Sequence, residues 1–364
     1  MHSLLAPIAL GDLTFTSRIA MAPVTRARAG AYGVPTALNA EYYGQRASAG
    51  LIVTEATNVS CLSAAFEHAP GIYSALQIEG WRAVADQVHA GGGKIFMQLW
   101  HSGRASSYAL LNGETPLSPS GMNDDLGALQ VYAALRNGYY TRISASPSRA
   151  MDRDEILAAV AEFRSGAENA LAAGLDGVEI HAANGYLVQQ FLSPHVNRRT
   201  DEFGGSVDNR ARFLRLIVEA LLELMPAEKI GVRLSPFARY NNALDADVLQ
   251  TYTYVTRMLN QYGVGYIHAA DTNAWGGESD MAQIIGMIRP NFDGVLIVNA
   301  GLSAEQADSL IDEGRADMVA FGRQYIANPD LVARIANGGP YNEPDASTFY
   351  GGTAAGYTDY PRLP

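Results

Sequence analysis

VLIVNAGLSAEQADSLIDEGRADMVAFGR, residues 295–323, spells a strand, a helix and a second strand in order. The run 295–301 has strand length and is rich in Val and Ile, as expected of a strand buried on both faces. Ser303 and Gln306 have capping-box spacing, and ADSLIDEG stops at a glycine. The run 317–323 then repeats the first. Two strands joined by a crossover helix form a unit of parallel sheet.

The same rhythm extends back along the chain. RIAMAP (18–23), LIVTEA (51–56), KIFMQLW (94–100), GVEIH (177–181), IGVRLS (230–235) and GYIHAA (265–270) bring the apolar runs to eight. Between them, Asp152 and Glu155 box the start of ILAAVAEFRSGAENALAAG, and Ser206 can cap the helix holding NRARFLRLIVEALLEL. Eight alternations without a linker predict an α/β fold, a (β/α)8 TIM barrel forming one domain over residues 1–364. A doubly wound open sheet is the alternative, but no GxGxxG follows the first strand.

A barrel takes ~250 residues, so about a hundred are left over. LAPIAL-GD-LTFT reads as an N-terminal hairpin with a Gly-Asp turn. The stretch 103–151 is rich in Gly, Pro, Ser and Asn and forms a long loop insertion after strand 3. It leaves from the face where barrel chemistry collects and could act as a lid, with VYAALRNGYYTRI as a short ribbon.

Composition excludes several classes. The 364 residues carry a net charge of −11 with scattered basic residues, which argues against a nucleic-acid surface. A single cysteine, Cys61, allows neither an intrachain disulfide nor a four-thiolate cluster. No signal peptide is evident and no run approaches a membrane span, so a cytoplasmic protein is expected. His101, His181, His195 and His268 lack metal-binding spacing, and no metal site is expected.

The strand ends are polar. Thr25, Glu55-Ala56, Gln98, Trp100, His181, Asn184, Tyr186, Arg233, His268, Gly301, Gly322 and Arg323 fall there. Gly301, Gly322 and Arg323 follow the seventh and eighth strands, where barrels bind phosphate; tight-turn glycines are the plainer alternative. Gln98 and Arg233 together can read the imide edge of a flat heterocycle, although for either alone a buried structural residue paired with backbone is the better reading. His181 and Asn184 are three apart, so a helical turn would put both on one face, each donating to one oxygen that becomes negative. Tyr186 is a usable proton donor to a basic carbanion. An aldolase or isomerase on the same phosphate site would want a lysine or an acidic base at a strand end, and Glu55 is the one candidate, unless it points into the wall.

These residues lie in ordered blocks similar to the old yellow enzymes, FMN-dependent ene reductases. The blocks are MAPVTRAR (21–28), YYGQRASAGLIVTEAT (42–57), GGKIFMQLWHSGR (92–104), GVEIHAANGYLVQQFLSPHVNRRTDEFGGSVDNRARF (177–213), GVRLSP (231–236), MVAFGRQYIANPDL (318–331) and FYGGTAAGYTDYP (349–361). The resemblance implies non-covalent FMN, with Gln98 and Arg233 at its pyrimidine edge, Pro23 and Ala56 supplying backbone contacts, and Thr25 as a catalytic residue that hydrogen-bonds the flavin O4 and tunes its electronics. It implies Gly301, Gly322 and Arg323 at the phosphate. It also implies His181 and Asn184 on the substrate oxygen, Tyr186 as the acid, and Trp100, Phe66 and Tyr350 lining the substrate pocket.

The implied reaction is ping-pong: NADPH or NADH reduces the flavin, and an activated alkene (enone, enal, maleimide or nitroalkene) reoxidises it. Phenols would bind as inhibitors, and the chain would be a monomer or homodimer. The family pattern is fragmentary over 103–151, and Phe66 stands where a tyrosine is common. A flavin-binding sensor without turnover is the remaining alternative.

Overall fold

The computed structural model describes residues 3–136 and 139–364. Eight strands close a parallel barrel: β1 (Ile19–Met21), β2 (Leu51–Val53), β3 (Ile95–Trp100), β4 (Gly177–Ala182), β5 (Ile230–Leu234), β6 (Tyr266–Ala270), β7 (Val295–Asn299) and β8 (Met318–Phe321). Each pairs with its successor, and β8 returns to β1 through Val319↔Ile19 and Phe321↔Met21. The (β/α)8 expectation holds, and the open sheet is excluded by that last pairing. Around the barrel lie α1 (Ala37–Gly44), α2 (Ala75–Ala90), α3 (Arg153–Ala172), α4 (Val207–Leu222), α5 (Val248–Tyr262), α6 (Met281–Ile288), α7 (Ala304–Asp312) and α8 (Leu331–Asn337).

The capping signals act where the sequence places them. Asp152, Ser206 and Ser303 each accept the backbone N–H three residues on, and the boxes at Asp152 and Ser303 are complete. The stretch after β8 forms two short helices, Arg323–Ala327 and α8. Pro329 falls between them, which cannot continue the first helix.

Two packed layers follow from the strand alternation. Ala20, Val53, Phe96, Tyr266, Ile297 and Met318 fill the barrel, while Ile52, Met97, Val178, Phe163 and Phe213 join barrel to helices. The N-terminal hairpin, Ile8–Leu10 against Leu13–Phe15, sends Leu10 and Phe15 into the inner layer. Its turn at Gly11, φ +58°, packs on Glu228 just ahead of β5, so the hairpin plugs the end of the barrel where strands begin. The opposite end is left for chemistry.

The 103–151 insertion carries its own antiparallel ribbon, Val131–Ala134 with Tyr140–Ile143, as the sequence predicts. The ribbon is sewn to the segment after β2: Tyr132 donates to the Ala65 carbonyl, and Glu67 donates to the Tyr132 carbonyl. Leu117–Ser118 pairs with Arg149–Ala150 and closes the base of the insertion. Among the described residues, no helix is long and apolar enough to cross a membrane.

Candidate active site

Register brings the polar strand ends into one layer. Gln98 lies opposite Glu179, and His181 opposite Arg233, which lies opposite His268. Gln98 Nε2 donates to Glu179 Oε1 (2.7 Å), His268 Nδ1 meets Glu179 Oε2 (2.9 Å), and Arg233 Nη1 approaches His268 Nε2 (2.7 Å). Arg233 Nη2 donates to Asn299 Oδ1 (2.9 Å). Burial pushes Arg233 down to about 10, so it stays charged, and burial with the Arg233 charge pushes His268 down to about 4. Burial opposes ionisation of Glu179, but His268 and Arg233 outweigh it and hold the carboxyl below its ordinary range. Gln98 and Arg233 are therefore tied to side chains, not to backbone.

HAANGY folds differently from the helical turn expected of it. His181 is still in β4, and the chain then turns tightly through Asn184 (φ +57°) and Gly185 (φ +70°) before the helix Leu187–Leu192 starts. The reason is the loop after β5: a Cβ on Gly185 would lie 2.5 Å from the Tyr240 carbonyl oxygen, so the turn is pressed into left-handed backbone. Asn184 N–H donates to Ser235 Oγ (2.8 Å), and its carbonyl accepts from Asn241 Nδ2 (2.9 Å).

That turn leaves two donors unspent. Ala183 N–H donates to His181 Nδ1 (3.3 Å), which puts the ring proton on Nε2. Burial, then the nearby Arg233, holds the imidazole well below its usual range and therefore neutral. Asn184 Oδ1 is buried without a partner. Among the described residues neither His181 Nε2 nor Asn184 Nδ2 has a protein partner. Tyr186 stands edge-on to His181 at 5.1 Å and to Trp100 at 5.0 Å. Burial, then Tyr350, raises its pKa, while Asn241 and Tyr240 side chains reach its hydroxyl.

An aromatic wall rises beside this trio. Phe66 stacks on Tyr132 (4.9 Å), Tyr132 on Tyr350 (5.7 Å), and Tyr140 on Tyr350 (5.9 Å), with Trp100 6.2 Å from Phe66. Phe66, Trp100 and Tyr350 were expected from the sequence. Tyr132 and Tyr140, both from the insertion ribbon, were not.

Tyr350 is held by a strap. Arg26 donates to the carbonyls of Phe349 (2.9 Å) and Gly356 (2.8 Å), and Arg28 to those of Thr348 (2.8 Å) and Thr353 (2.9 Å). Tyr42 stacks on Tyr357 at 4.0 Å under the same guanidinium groups.

Glu55 serves this region and not the mouth. Its Oε2 accepts from the backbone N–H groups of Arg26 and Ala27, both at 3.0 Å, fixing the loop just after Thr25. Its side chain is spent in the wall, so Glu55 is not available as the base an aldolase or isomerase would need. Pro23 and Thr25 are half-buried beside it, and Ala56 is buried.

At the ends of β7 and β8, Gly301 has φ +68° with open space where a Cβ would stand, and Gly322 directly precedes the helix Arg323–Ala327. Arg46 braces that helix from beneath, donating to the carbonyls of Tyr325 (2.8 Å) and Ile326 (2.9 Å). Arg323 is exposed and forms no ion pair among the described residues.

Sequence reasoning passed over Glu179, Asn299, Tyr240 and Asn241. Glu179 did carry a signal: it lies two residues before His181, so both face the barrel interior. Tyr240 and Asn241 sit in a loop with no period to read.

A closed (β/α)8 barrel with unspent donors, a phenol and a glycine-arginine corner at its mouth defines a cofactor-dependent oxidoreductase site. The family description NADH:flavin oxidoreductase / NADH oxidase matches residues 3–342. The chain is 38% identical to 12-oxophytodienoate reductase 1 of Oryza sativa subsp. japonica, covering 99% of this chain and 93% of that protein. It is equally 38% identical to a Leishmania infantum protein named "Probable flavin mononucleotide-dependent alkene reductase", over 98% and 97%. Morphinone reductase superposes with a TM-score of 0.95 at 41% identity, covering 100% of this chain and 96% of that one. The old yellow enzyme homologue from Zymomonas mobilis gives 0.92 at 37%, over 99% and 100%. The chain belongs to the NADH:flavin oxidoreductase / NADH oxidase family, of old yellow enzyme type, and its cofactor is FMN.

Proposed function

We propose that the protein is an NAD(P)H-dependent ene reductase working by a ping-pong cycle, with enones, enals, maleimides and nitroalkenes as oxidants. When bound, FMN supplies the redox chemistry, taking reducing equivalents from NADPH or NADH and passing them to the β-carbon of the alkene. The residues fit that group: Arg323 is an exposed cation without an ion pair among the described residues at the end of β8, and Gly301 at the end of β7 has open space where a Cβ would stand. Gly301, Gly322 and Arg323 hold the phosphate. Pro23, Thr25, Ala56, Gln98 and Arg233 hold the ring system.

The reading rests on one observation above all, the two unspent donors at His181 Nε2 and Asn184 Nδ2. His181 is a buried, neutral imidazole and Asn184 a half-buried amide, so both stabilise an oxygen as it gains negative charge without giving up a proton to it. Tyr186 then delivers the proton to the α-carbon; burial keeps it protonated until a strong carbanion base is present. Tyr240 and Asn241 meet the oxygen left behind. Phe66, Trp100 and Tyr350, with Tyr132 and Tyr140, exclude water and flank a flat substrate.

The test is anaerobic stopped-flow. NADPH or NADH should bleach the bound flavin, and cyclohexenone should restore its oxidised absorbance. Flavin that is reduced but stays reduced with every activated alkene would refute an ene reductase and favour a sensor.

A further inference from the structure

A carboxylate can only accept hydrogen bonds and a guanidinium can only donate them. Glu179 and Arg233 put one of each into the buried chain below the mouth, and this fixes the orientation of every group attached to them. Glu179 Oε1 lies 2.7 Å from Gln98 Nε2, so the amide donates inward and Gln98 Oε1 is left as an acceptor without a partner among the described residues. Glu179 Oε2 lies 2.9 Å from His268 Nδ1, which must carry the ring proton. Arg233 Nη1 lies 2.7 Å from His268 Nε2 and 3.1 Å from Nδ1; with Nδ1–H committed to Glu179, Nε2 is the bare nitrogen that accepts from it. Arg233 is steadied on its other side by Asn299 Oδ1, and Asn299 is itself oriented by donating Nδ2 to the Ala320 carbonyl (2.8 Å). Gln98, Glu179, Arg233 and His268 are at most 3% exposed, so water does not compete for these bonds.

We propose that Glu179 and His268 are positioning residues that set the hydrogen-bond polarity with which Gln98 and Arg233 meet the cofactor. Gln98 is presented as an acceptor and Arg233 as a donor. That pattern selects a cyclic ureide, a ring with an N–H beside a carbonyl, and the pyrimidine ring of FMN has this edge at N3–H and C2=O. The proposal rests on the FMN reading above and deepens it. The depressed pKa of His268 agrees with the neutral tautomer that the geometry requires.

Glu179→Gln makes a sharp test because it changes one atom. His268 Nδ1–H would claim the single oxygen of the new amide, whose NH2 would then face Gln98. Gln98 would have to turn its oxygen inward and its NH2 outward, donor against donor at N3–H.

The experiment titrates full-length apoprotein with FMN and with N3-methyl-FMN, in which a methyl group replaces the N3 proton and both carbonyls are kept, following the quenching of flavin fluorescence. Wild-type protein should bind N3-methyl-FMN at least about tenfold more weakly, the worth of one buried hydrogen bond. Glu179→Gln should lose more than about tenfold in FMN affinity, keep its N3-methyl-FMN affinity within about threefold, and so lose the discrimination.

Equal binding of the two flavins by wild-type protein overturns the proposal even where the variant does not fold. A variant that weakens both flavins alike also overturns it, since a merely structural Glu179 would do that. Failure of wild-type protein to bind FMN at all would instead refute the FMN reading itself.

Discussion

Replacing both His181 and Asn184 by alanine should abolish tight phenol binding while FMN remains in place. A phenolate oxygen resembles the oxygen of a substrate that has gained negative charge, so its affinity reads the two donors directly. Each N–H to a charged oxygen contributes ~1.5–3 kcal/mol in a buried site. Two would sum to ~3–6 kcal/mol, but water entering the vacated space recovers part, leaving a loss of ~10²–10³ in Kd.

The pH dependence follows from the same geometry. His181 is held neutral well below its usual range, so it does not titrate between about pH 6 and 8. Binding should then tighten as pH rises toward the ligand's own pKa and level off above it, because only the phenol must lose a proton. The assay is titration of the long-wavelength flavin–phenolate absorbance across pH, with FMN retention measured by release on denaturation. A double variant within about threefold of wild type would refute the donor assignment. A break in wild-type affinity near pH 6.5, the ordinary histidine value, would refute the neutral imidazole.

Other perturbations have equally definite outcomes. Tyr186→Phe should slow flavin reoxidation by enones by ~10²–10⁴ and leave reduction by NADPH unchanged, which stopped-flow measures separately. Arg323→Ala should weaken FMN at least about tenfold yet leave riboflavin binding unaltered, since only the phosphate loses its fork. His101 is depressed to about 4 by burial alone, so below pH 6.5 the unfolded chain takes up a proton that the native state refuses. Stability should therefore fall as pH drops from 6.5 toward 4. His101→Asn should lose less unfolding free energy than wild type between pH 7 and 4.5, by roughly 2 kcal/mol in urea titrations, and an identical pH loss would contradict the burial argument.

Periodicity made the barrel legible, because a strand buried on both faces and a capped amphipathic helix each write a distinct pattern. Ser303 with Gln306 and Asp152 with Glu155 marked helix starts that the structure retains. Strand ends were legible as well, so Gln98, His181, Arg233 and His268 could be placed at the mouth before any coordinates. What the pattern could not convey was who holds whom. Glu179 looked like one charge in an apolar strand, and only its register against Gln98 and the reach of His268 reveal a shared network. The turn at Asn184 and Gly185 leaves no local signal, because the Tyr240 carbonyl that crowds Gly185 comes from a loop distant in sequence. Tyr132 and Tyr140 reach the aromatic wall through a ribbon whose docking onto residues 65–67 leaves no local signal.

The arginine strap bears on how quickly a working molecule can be assembled. Arg26 and Gly356 are 330 positions apart, and the β8–β1 pairing that closes the barrel spans nearly the same interval. Contacts of such separation form slowly because the loop they close must be ordered before they repay it. Renatured protein should accordingly regain helical signal and tryptophan burial first, and flavin retention last. Intermediates lacking the strap would have an open mouth and an unmade substrate wall, and in that interval FMN can enter freely and also escape.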